Sequence, residues 1–441
     1  MSVISKVRAR AKTLTADEWI ISLVTAAIIL PEYAFAVIVC LTSLYALIHP
    51  VKRSGMMEQP GFFISLILLP LVIMPVAISG NVKGLLYGAV LWLIIMFMYY
   101  VSSVMTRRFL GNILDLLLMI SVVASVFGVM DRFFIGTTHD GVLRTTSIFA
   151  NANHYGYAIE LFSVIAVGRF MKKKKPIYLV LALINVASLV LCDCRTAWAA
   201  IGAGIVVMLL FNSRSWKAIA ITGVAGVFCC AAAYFVLPII SPRFEIAKVL
   251  VSYNNRAEMW ENAIGWIKDN PAFGYGTASY EMLSVKNGVR ELKHAHNLPI
   301  NMLLDYGIIG SAVFVVLFSK VLKPIFVRSF RNKYNYVSSI VLGTLAATII
   351  HGMVDVPILG ISTAYLLIMI VSSSAIERNE ASYGYAIVSA KKGNRTAAKP
   401  VGAGAAAGGY SFGSVSSSAM RKSEYSKLYT MSNDGKSMSR F

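Results

Sequence analysis

Long apolar stretches separated by short polar turns fill most of this chain. About 20 apolar residues carry a helix across the hydrocarbon layer of a membrane. Runs of that kind fall near 18–31, 33–49, 62–79, 84–104, 110–130, 153–170, 176–191, 196–212, 217–239, 297–319, 335–353 and 356–376. The pattern predicts an all-α membrane protein with about 12 transmembrane helices. Only Pro31 and Glu32 divide the first two runs, so these could also form a re-entrant pair. The one long polar excursion between spans covers residues 240–296. It carries Arg243, Lys248, Arg256, Lys268, Lys286, Arg290, Lys293, His294 and His296, a load that cannot sit in lipid. Beyond Ile376 the apolar pattern stops, and a tail rich in Gly, Ala, Ser and Lys cannot bury a core. The expected organisation is a cytoplasmic N-terminal segment (1–17), a polytopic domain (18–376) with an extracytoplasmic loop at 240–296, and a disordered cytoplasmic tail (377–441).

Composition agrees with the pattern, since 57% of residues are hydrophobic and 14% charged. That is too apolar for a water-soluble domain of this length. The formal charge of +20 would suit nucleic acid, but the cations are scattered as short clusters between apolar runs. Lys52 and Arg53, Arg107 and Arg108, Lys172 to Lys175, Arg214 and Lys217, and Lys320 to Lys333 fall on one side of the expected membrane. This is the bias of cytoplasmic loops, so both termini are expected inside, with membrane lipids and no nucleic acid as partners. Five cysteines, an odd number in or beside apolar runs, argue against a disulfide framework. The N-terminus has no apolar core ahead of a small-residue cleavage site, so the first span is expected to stay as an anchor.

The polar excursion holds the candidate chemistry. Asn255-Arg256-Ala257-Glu258 has the spacing of a capping box and predicts a helix starting there, with Arg256 in its first turn. Met259, Trp260, Ala263, Ile264 and Ile267 then mark one apolar face, and Asn270-Pro271 ends the run. Phe273-Gly274-Tyr275-Gly276 reads as a turn that brings the backbone close to something; it lacks the third glycine and the strand of a nucleotide motif. His294 and His296, two apart, do not share a helix face, and only Glu291 stands nearby as a further ligand, so a zinc pair is not expected. A histidine at a membrane interface reads instead as a general base. Arg144, Arg195 and Asp355 fall on the same outer side. Any one arginine could be a snorkelling or salt-bridged residue. Arg144, Arg195 and Arg256 at one depth call for an anion, and their planar forks suit a diphosphate.

These residues resemble a known family. Arg144 with the following Asn151-Ala152-Asn153, Cys194-Arg195-Thr196-Ala197-Trp198, Asn255-Arg256-Ala257-Glu258-Met259-Trp260, the turn at 270–276, and His296-Asn297-Leu298-Pro299 followed by Asp305-Tyr306-Gly307 are similar to the O-antigen ligase and polymerase superfamily of bacterial envelopes. The resemblance covers roughly residues 140–320. It implies a polytopic, GT-C-like, metal-independent glycosyltransferase of the bacterial cytoplasmic membrane, needing no cofactor. Such an enzyme moves a glycan from a lipid-linked oligosaccharide donor, on undecaprenyl diphosphate, to a glycan or lipid acceptor at the outer face. By the same analogy Arg144, Arg195 and Arg256 hold the diphosphate, His296 activates the acceptor, and Asn153, His294 and Glu258 support the site. The family often has Pro-Asn where this chain has Ala152-Asn153, and the motifs do not separate ligases from polymerases.

The rival reading is a transporter or flippase for lipid-linked glycans, which needs ionisable groups near the membrane midplane. Glu160 and Asp115 are the main ones here, while charge gathers at the outer interface. The outer acids include no Asp-x-Asp pair, so the arginines, rather than a metal, are expected to supply positive charge.

Overall fold

The computed structural model describes residues 13–139, 142–213, 245–331 and 335–382, with isolated positions between 213 and 245. The described residues are helical apart from turns and one antiparallel hairpin of two-residue strands, β1 (Thr138–His139) and β2 (Val142–Leu143). Helix α1 (Ala16–Ala26) opens on a capping box in which Thr15 and Glu18 bond each other's backbone N–H. Then come α2 (Glu32–Ile48), α3 (Pro50–Met57), α4 (Phe62–Ser79), α5 (Val82–Val104) and α6 (Arg107–Met130). Every expected run coincides with helix except 217–239, most of which lies outside the described residues.

The helices differ in how fully each one could span a membrane. Among the described residues, five helical stretches are long and apolar enough to cross a membrane: Val82–Val104, Arg107–Ile135, Arg195–Asn212, Leu298–Arg331 and Ile361–Ser382. A sixth is added if α2 and α3, bent by 92°, count as one broken span. Phe62–Pro75, Ile177–Cys192 and Tyr336–Gly352 are apolar but shorter. Pro50 starts α3 at the bend, and Pro70 and Pro75 lie inside α4, whose helix nevertheless runs on to Ser79. Each removes a backbone donor and crowds the preceding turn.

The site is positioned by α7 (Ala152–Lys173), α8 (Ile177–Cys192), α9 (Arg195–Ser213) and α13 (Tyr336–Gly352). Helix α7 is buried over most of its length, between α8, α9 and α13. At the α9–α13 contact, a Cβ on Gly204 would lie 2.8 Å from Gly343 O, and one on Gly343 would lie 2.7 Å from Gly204 O. Only hydrogen at both positions lets these backbones touch, which is how helices associate where lipid supplies no hydrophobic drive. Because α7 and α9 enter at the end where α13 leaves, one face of the bundle gathers two helix N-termini and the segment after α13.

Over that face lie α10 (Ile246–Asp269) and α11 (Ser279–Lys286), followed by the start of α12 (Leu298–Arg331). They share a small apolar cluster of Met259, Ala263, Tyr280, Leu283, Ala295 and Leu304. Helix α10 ends before Asn270-Pro271 as expected, but it starts at Ile246 rather than at Asn255. The helix-forming run Ile246-Ala247-Lys248-Val249-Leu250 continues the pattern upstream, so Asn255 is an interior residue and Arg256 lies mid-helix. Ile264, expected on the apolar face, is exposed.

The glycine turn docks onto a break in α12. Tyr275 N–H donates to Leu304 O (2.9 Å) and Gly276 N–H to Asp305 O (2.8 Å). Ile308 and Ile309 N–H return to Pro271 O and Ala272 O at 2.8 and 3.1 Å. Gly307 makes the exchange possible with φ 62° and ψ −170° inside the helix. The Asp305 carboxylate accepts from Ser279 N–H (3.1 Å) and from Asn301 Nδ2 (2.8 Å) and ties α11 to the same break.

At the other end of the bundle, α14 (Ile361–Val371) continues through a 3₁₀ turn into helix as far as Ser382, past the boundary expected at 376. Asn379 Nδ2 donates to Ser102 O and Met105 O at 2.8 and 2.9 Å, and Arg107 Nε to Glu380 Oε2 at 3.0 Å. The expected disordered tail lies, from residue 383, outside the described residues.

Candidate active site

Asn151 caps α7 by accepting from His154 N–H (2.8 Å), which leaves Asn153 in the first turn. Asp193 ends α8 in a left-handed conformation (φ 49°), so the chain turns at once and Arg195 opens α9. Arg144, buried beside both, donates from Nε to Cys192 O (3.2 Å) and from Nη2 to Asn153 Oδ1 (2.7 Å). Asn153 passes the chain on through Nδ2 to Asp355 Oδ2 (2.6 Å). Asp355 Oδ1 lies 3.0 Å from His296 Nδ1 and also accepts from Val356 N–H (2.8 Å). A buried carboxylate that accepts from an amide, a backbone N–H and an imidazole is held in one orientation. It sets the tautomer of His296, since Nδ1 carries the proton shared with Asp355 and Nε2 keeps a lone pair.

His296 has φ 49°, outside the range that side chains favour. That conformation costs roughly 1–2 kcal/mol. It persists because His296 N–H donates to His294 Nδ1 (3.3 Å) while the ring is held by Asp355. Strain of this kind gathers at functional sites. Burial of Asp355 opposes its charge, but the hydrogen bond from His296, the largest opposing effect, holds its pKa well below the usual carboxylate range. His294 behaves oppositely. Burial, reinforced by His296 and only partly offset by Asp355, pushes it down to about 3. It is neutral at working pH, so its approach to Asp355 (Nε2 to Oδ1, 3.7 Å) is not an ion pair, and it is not the base.

A prediction about acid stability follows. Between about pH 6.5 and about 3 only the unfolded chain protonates His294, so the folded state loses stability as pH falls through that window. At pH 5 the loss is about 2 kcal/mol, and neutral asparagine at this position removes it. Thermal unfolding of wild type and His294→Asn in detergent at pH 7.5 and 5.0 measures the difference; equal acid sensitivity would refute the assignment. Asp355, His296, Lys293 and His154 face the same ring and are unchanged in that comparison.

Beneath Asp355 is a second tier. His351 Nε2 stands 3.9 Å from Asp355 Oδ2, while its Nδ1 bonds Glu160 Oε1 on α7. Both residues are fully buried, so Glu160, expected as a midplane charge, is paired. Nothing in sequence spacing linked Glu160 to His351, which lies 191 positions away.

Above the dyad opens a cleft of about 230 Å³ whose walls include Arg144, Asn153, Arg195, Arg256, Arg290 and His296. All three expected arginines are brought together, with the expected base. Arg256 is braced by Nε donating to Val354 O (3.0 Å) and Nη1 to Ser252 Oγ (2.5 Å). Arg195 Nη1 reaches Lys248 O (3.5 Å). The N-termini of α7 and α9 add their positive dipole ends to the same cleft. Arg290 is a fourth arginine, which the motifs did not single out. Glu258 is not on the cleft wall; it borders a smaller hollow alongside.

Among the described residues, those placed to hold a cation are His294, His296 and Asp355, whose ligand atoms lie within 4.8 Å of one another. Sequence spacing looked for the third ligand at Glu291 and missed Asp355, which the loop after α13 brings in. With one carboxylate already satisfied by three donors, the same geometry also suits a hydrogen-bonded base.

Comparison with known families bears directly on this cleft. Residues 177–315 match the family model described as O-antigen ligase. The match makes this stretch, about a third of the chain, similar to the O-antigen ligase family. Members are glycosyltransferase-like enzymes that use lipid-linked glycans and acceptors. The matched O-antigen ligase region contains Arg195, Arg256, Arg290 and His296, whereas Arg144, Asn153, Glu160, His351 and Asp355 lie outside it and join the site through the fold. No curated protein matches the chain at a significant level.

Proposed function

We propose that this multi-pass membrane protein transfers a glycan from an undecaprenyl-diphosphate carrier to an acceptor hydroxyl at the outer face of the bacterial cytoplasmic membrane, with both termini in the cytoplasm. The observation that carries the reading is the convergence of Arg144, Arg195, Arg256 and Arg290 with His296 on one cleft. His296 Nε2 takes the acceptor proton as its oxygen bonds the anomeric carbon. The bond from that carbon to the phosphate oxygen breaks, its electron pair leaves on the diphosphate, and the arginines stabilise the charge that develops. The acceptor is a lipid-anchored sugar in a ligase or a growing glycan in a polymerase. The buried Glu160–His351 pair favours a translocase as the second reading, because ion-coupled carriers keep such pairs among their helices. Purified protein in detergent, without a gradient, separates the two: release of undecaprenyl diphosphate with glycan appearing on the acceptor supports transfer, and its complete absence rejects it.

Two further outcomes are expected. Arg256→Lys keeps the charge but loses the two-pronged donor, and a charge-assisted contact of about 1.5–3 kcal/mol implies a tenfold or greater loss of transfer. Transfer is also expected to persist in excess EDTA and to gain little from magnesium or manganese, since arginine is not removed by chelation. Abolition by EDTA with rescue by a divalent ion would defeat the arginine clamp and make His294, His296 and Asp355 the first ligands to test, ahead of Glu258, Glu261 and Glu291.

A further inference from the structure

The small hollow beside the main cleft is about 40 Å³ and is lined by Asn255, Glu258, Met259, Asn262, Tyr280 and Arg290. Asn255, Met259 and Arg290 also line the diphosphate cleft, so the two spaces share a wall. Asn255, Glu258 and Asn262 fall at i, i+3 and i+7 on α10 and so present one face. Compared with Ser252, Asn255, Arg256 and Met259 in the main cleft, the lining has moved about one turn along the helix, roughly 5 Å. Opposite them is the buried ring of Tyr280 on α11.

The chemistry of the lining is specific. Among the described residues the side chains of Asn255, Glu258, Asn262 and Arg290 make no hydrogen bond to the protein. Asn255, Glu258 and Arg290 are exposed and Asn262 is half-buried, so two amides, a carboxylate and a guanidinium held only by water are open to exchange that water for a polar ligand next to an aromatic ring. Vicinal hydroxyls and acetamido groups are bound by planar, two-pronged polar side chains of this kind. Size narrows the ligand further. A water needs about 10–15 Å³ on this measure, so the hollow takes about three hydroxyl-sized groups. That is too little for a whole sugar ring and enough for the substituents along one edge of a pyranose.

We infer that this hollow is a sugar subsite, in which Asn262, Glu258 and Arg290 read the hydroxyl or acetamido substituents on one edge of a pyranose whose reacting carbon lies in the adjoining cleft. The inference rests on the glycosyl-transfer reading above. His296, Arg144 and Arg195 line only the main cleft, so the hollow recognises sugar without touching the base or the far end of the diphosphate. The sugar can come from the donor or from the acceptor.

The test uses the full chain in detergent and the variants Asn262→Ala and Glu258→Gln, at a half-buried and an exposed position respectively. Binding is measured for undecaprenyl diphosphate without sugar and for the undecaprenyl-diphosphate glycan isolated from the producing cells, and KM is measured for the acceptor. The expected result is a loss of about tenfold for the glycan-bearing lipid with unchanged binding of the sugar-free lipid. Unchanged donor binding with a tenfold higher acceptor KM assigns the same hollow to the acceptor sugar. Changes below twofold in both, or equal losses for the two lipids, would overturn the subsite. If wild type fails to bind the sugar-free lipid while the variants still weaken the glycan-bearing one, the diphosphate reading falls and the subsite stands.

Discussion

Asp355→Asn is expected to lower the turnover number for glycan transfer by roughly 10²–10⁴-fold while leaving donor binding within about threefold. The reason is the direction of one proton. Asn153 Nδ2 donates to Asp355 Oδ2 at 2.6 Å, so an asparagine at 355 keeps its carbonyl oxygen on that side. Its amide nitrogen then faces His296 Nδ1, where the carboxylate stood 3.0 Å away. An N–H pointed at Nδ1 makes that nitrogen the acceptor and moves the imidazole proton to Nε2, so the base has no lone pair toward the cleft. His296→Ala removes the base outright, with a loss of about 100-fold or more. Because the two residues act as one unit, the double variant should be little slower than the worse single one. Single-turnover transfer with purified variants makes the measurement. Losses that multiply in the double variant, or near-normal turnover by His296→Ala, would remove the dyad from the mechanism.

Gly307→Ala is expected to destabilise the protein by about 3 kcal/mol or more, the second large effect. At φ 62° and ψ −170° the backbone is in a region open essentially to glycine alone, which by itself costs an alanine roughly 1–3 kcal/mol. A Cβ there would also lie 2.3 Å from Ala272 O and 2.4 Å from Ala272 C, and backbone cannot step aside as a flexible side chain can. Yielding would undo the four hydrogen bonds between 271–276 and 304–309, and with them the seat of α10 and α11 over the cleft. Gly265→Ala is the control. It lies within α10 with nothing within 4 Å of a Cβ and should be neutral or stabilising by up to about 1 kcal/mol. Thermal unfolding in detergent compares the two; equal midpoints would show that the break in α12 is not required.

The sequence by itself determined what depends on neighbours along the chain. An apolar run in lipid must satisfy its backbone within the segment, so the runs became helices wherever they are described, and Asn270-Pro271 ended α10 because proline blocks the turn before it. Residue chemistry was legible too: a guanidinium seeks an anion and an interfacial histidine can move a proton, so Arg144, Arg195, Arg256 and His296 stood out before their positions were known. Local signals misled where a competing one was stronger, as when the helix-forming run from Ile246 overrode the capping spacing at Asn255. Tertiary structure alone decided the partners. Asp355 reaches His296 across 59 positions, Glu160 reaches His351 across 191, and Arg290 joins the cleft from a loop after α11. Hydrogen bonds and charge contacts act over a few ångströms whatever the separation along the chain. The packing of α7, α9 and α13, with Gly307 seating the outer segment, therefore set which carboxylate faces His296, which three groups could grip a cation, and which side chains line the cleft and the hollow beside it.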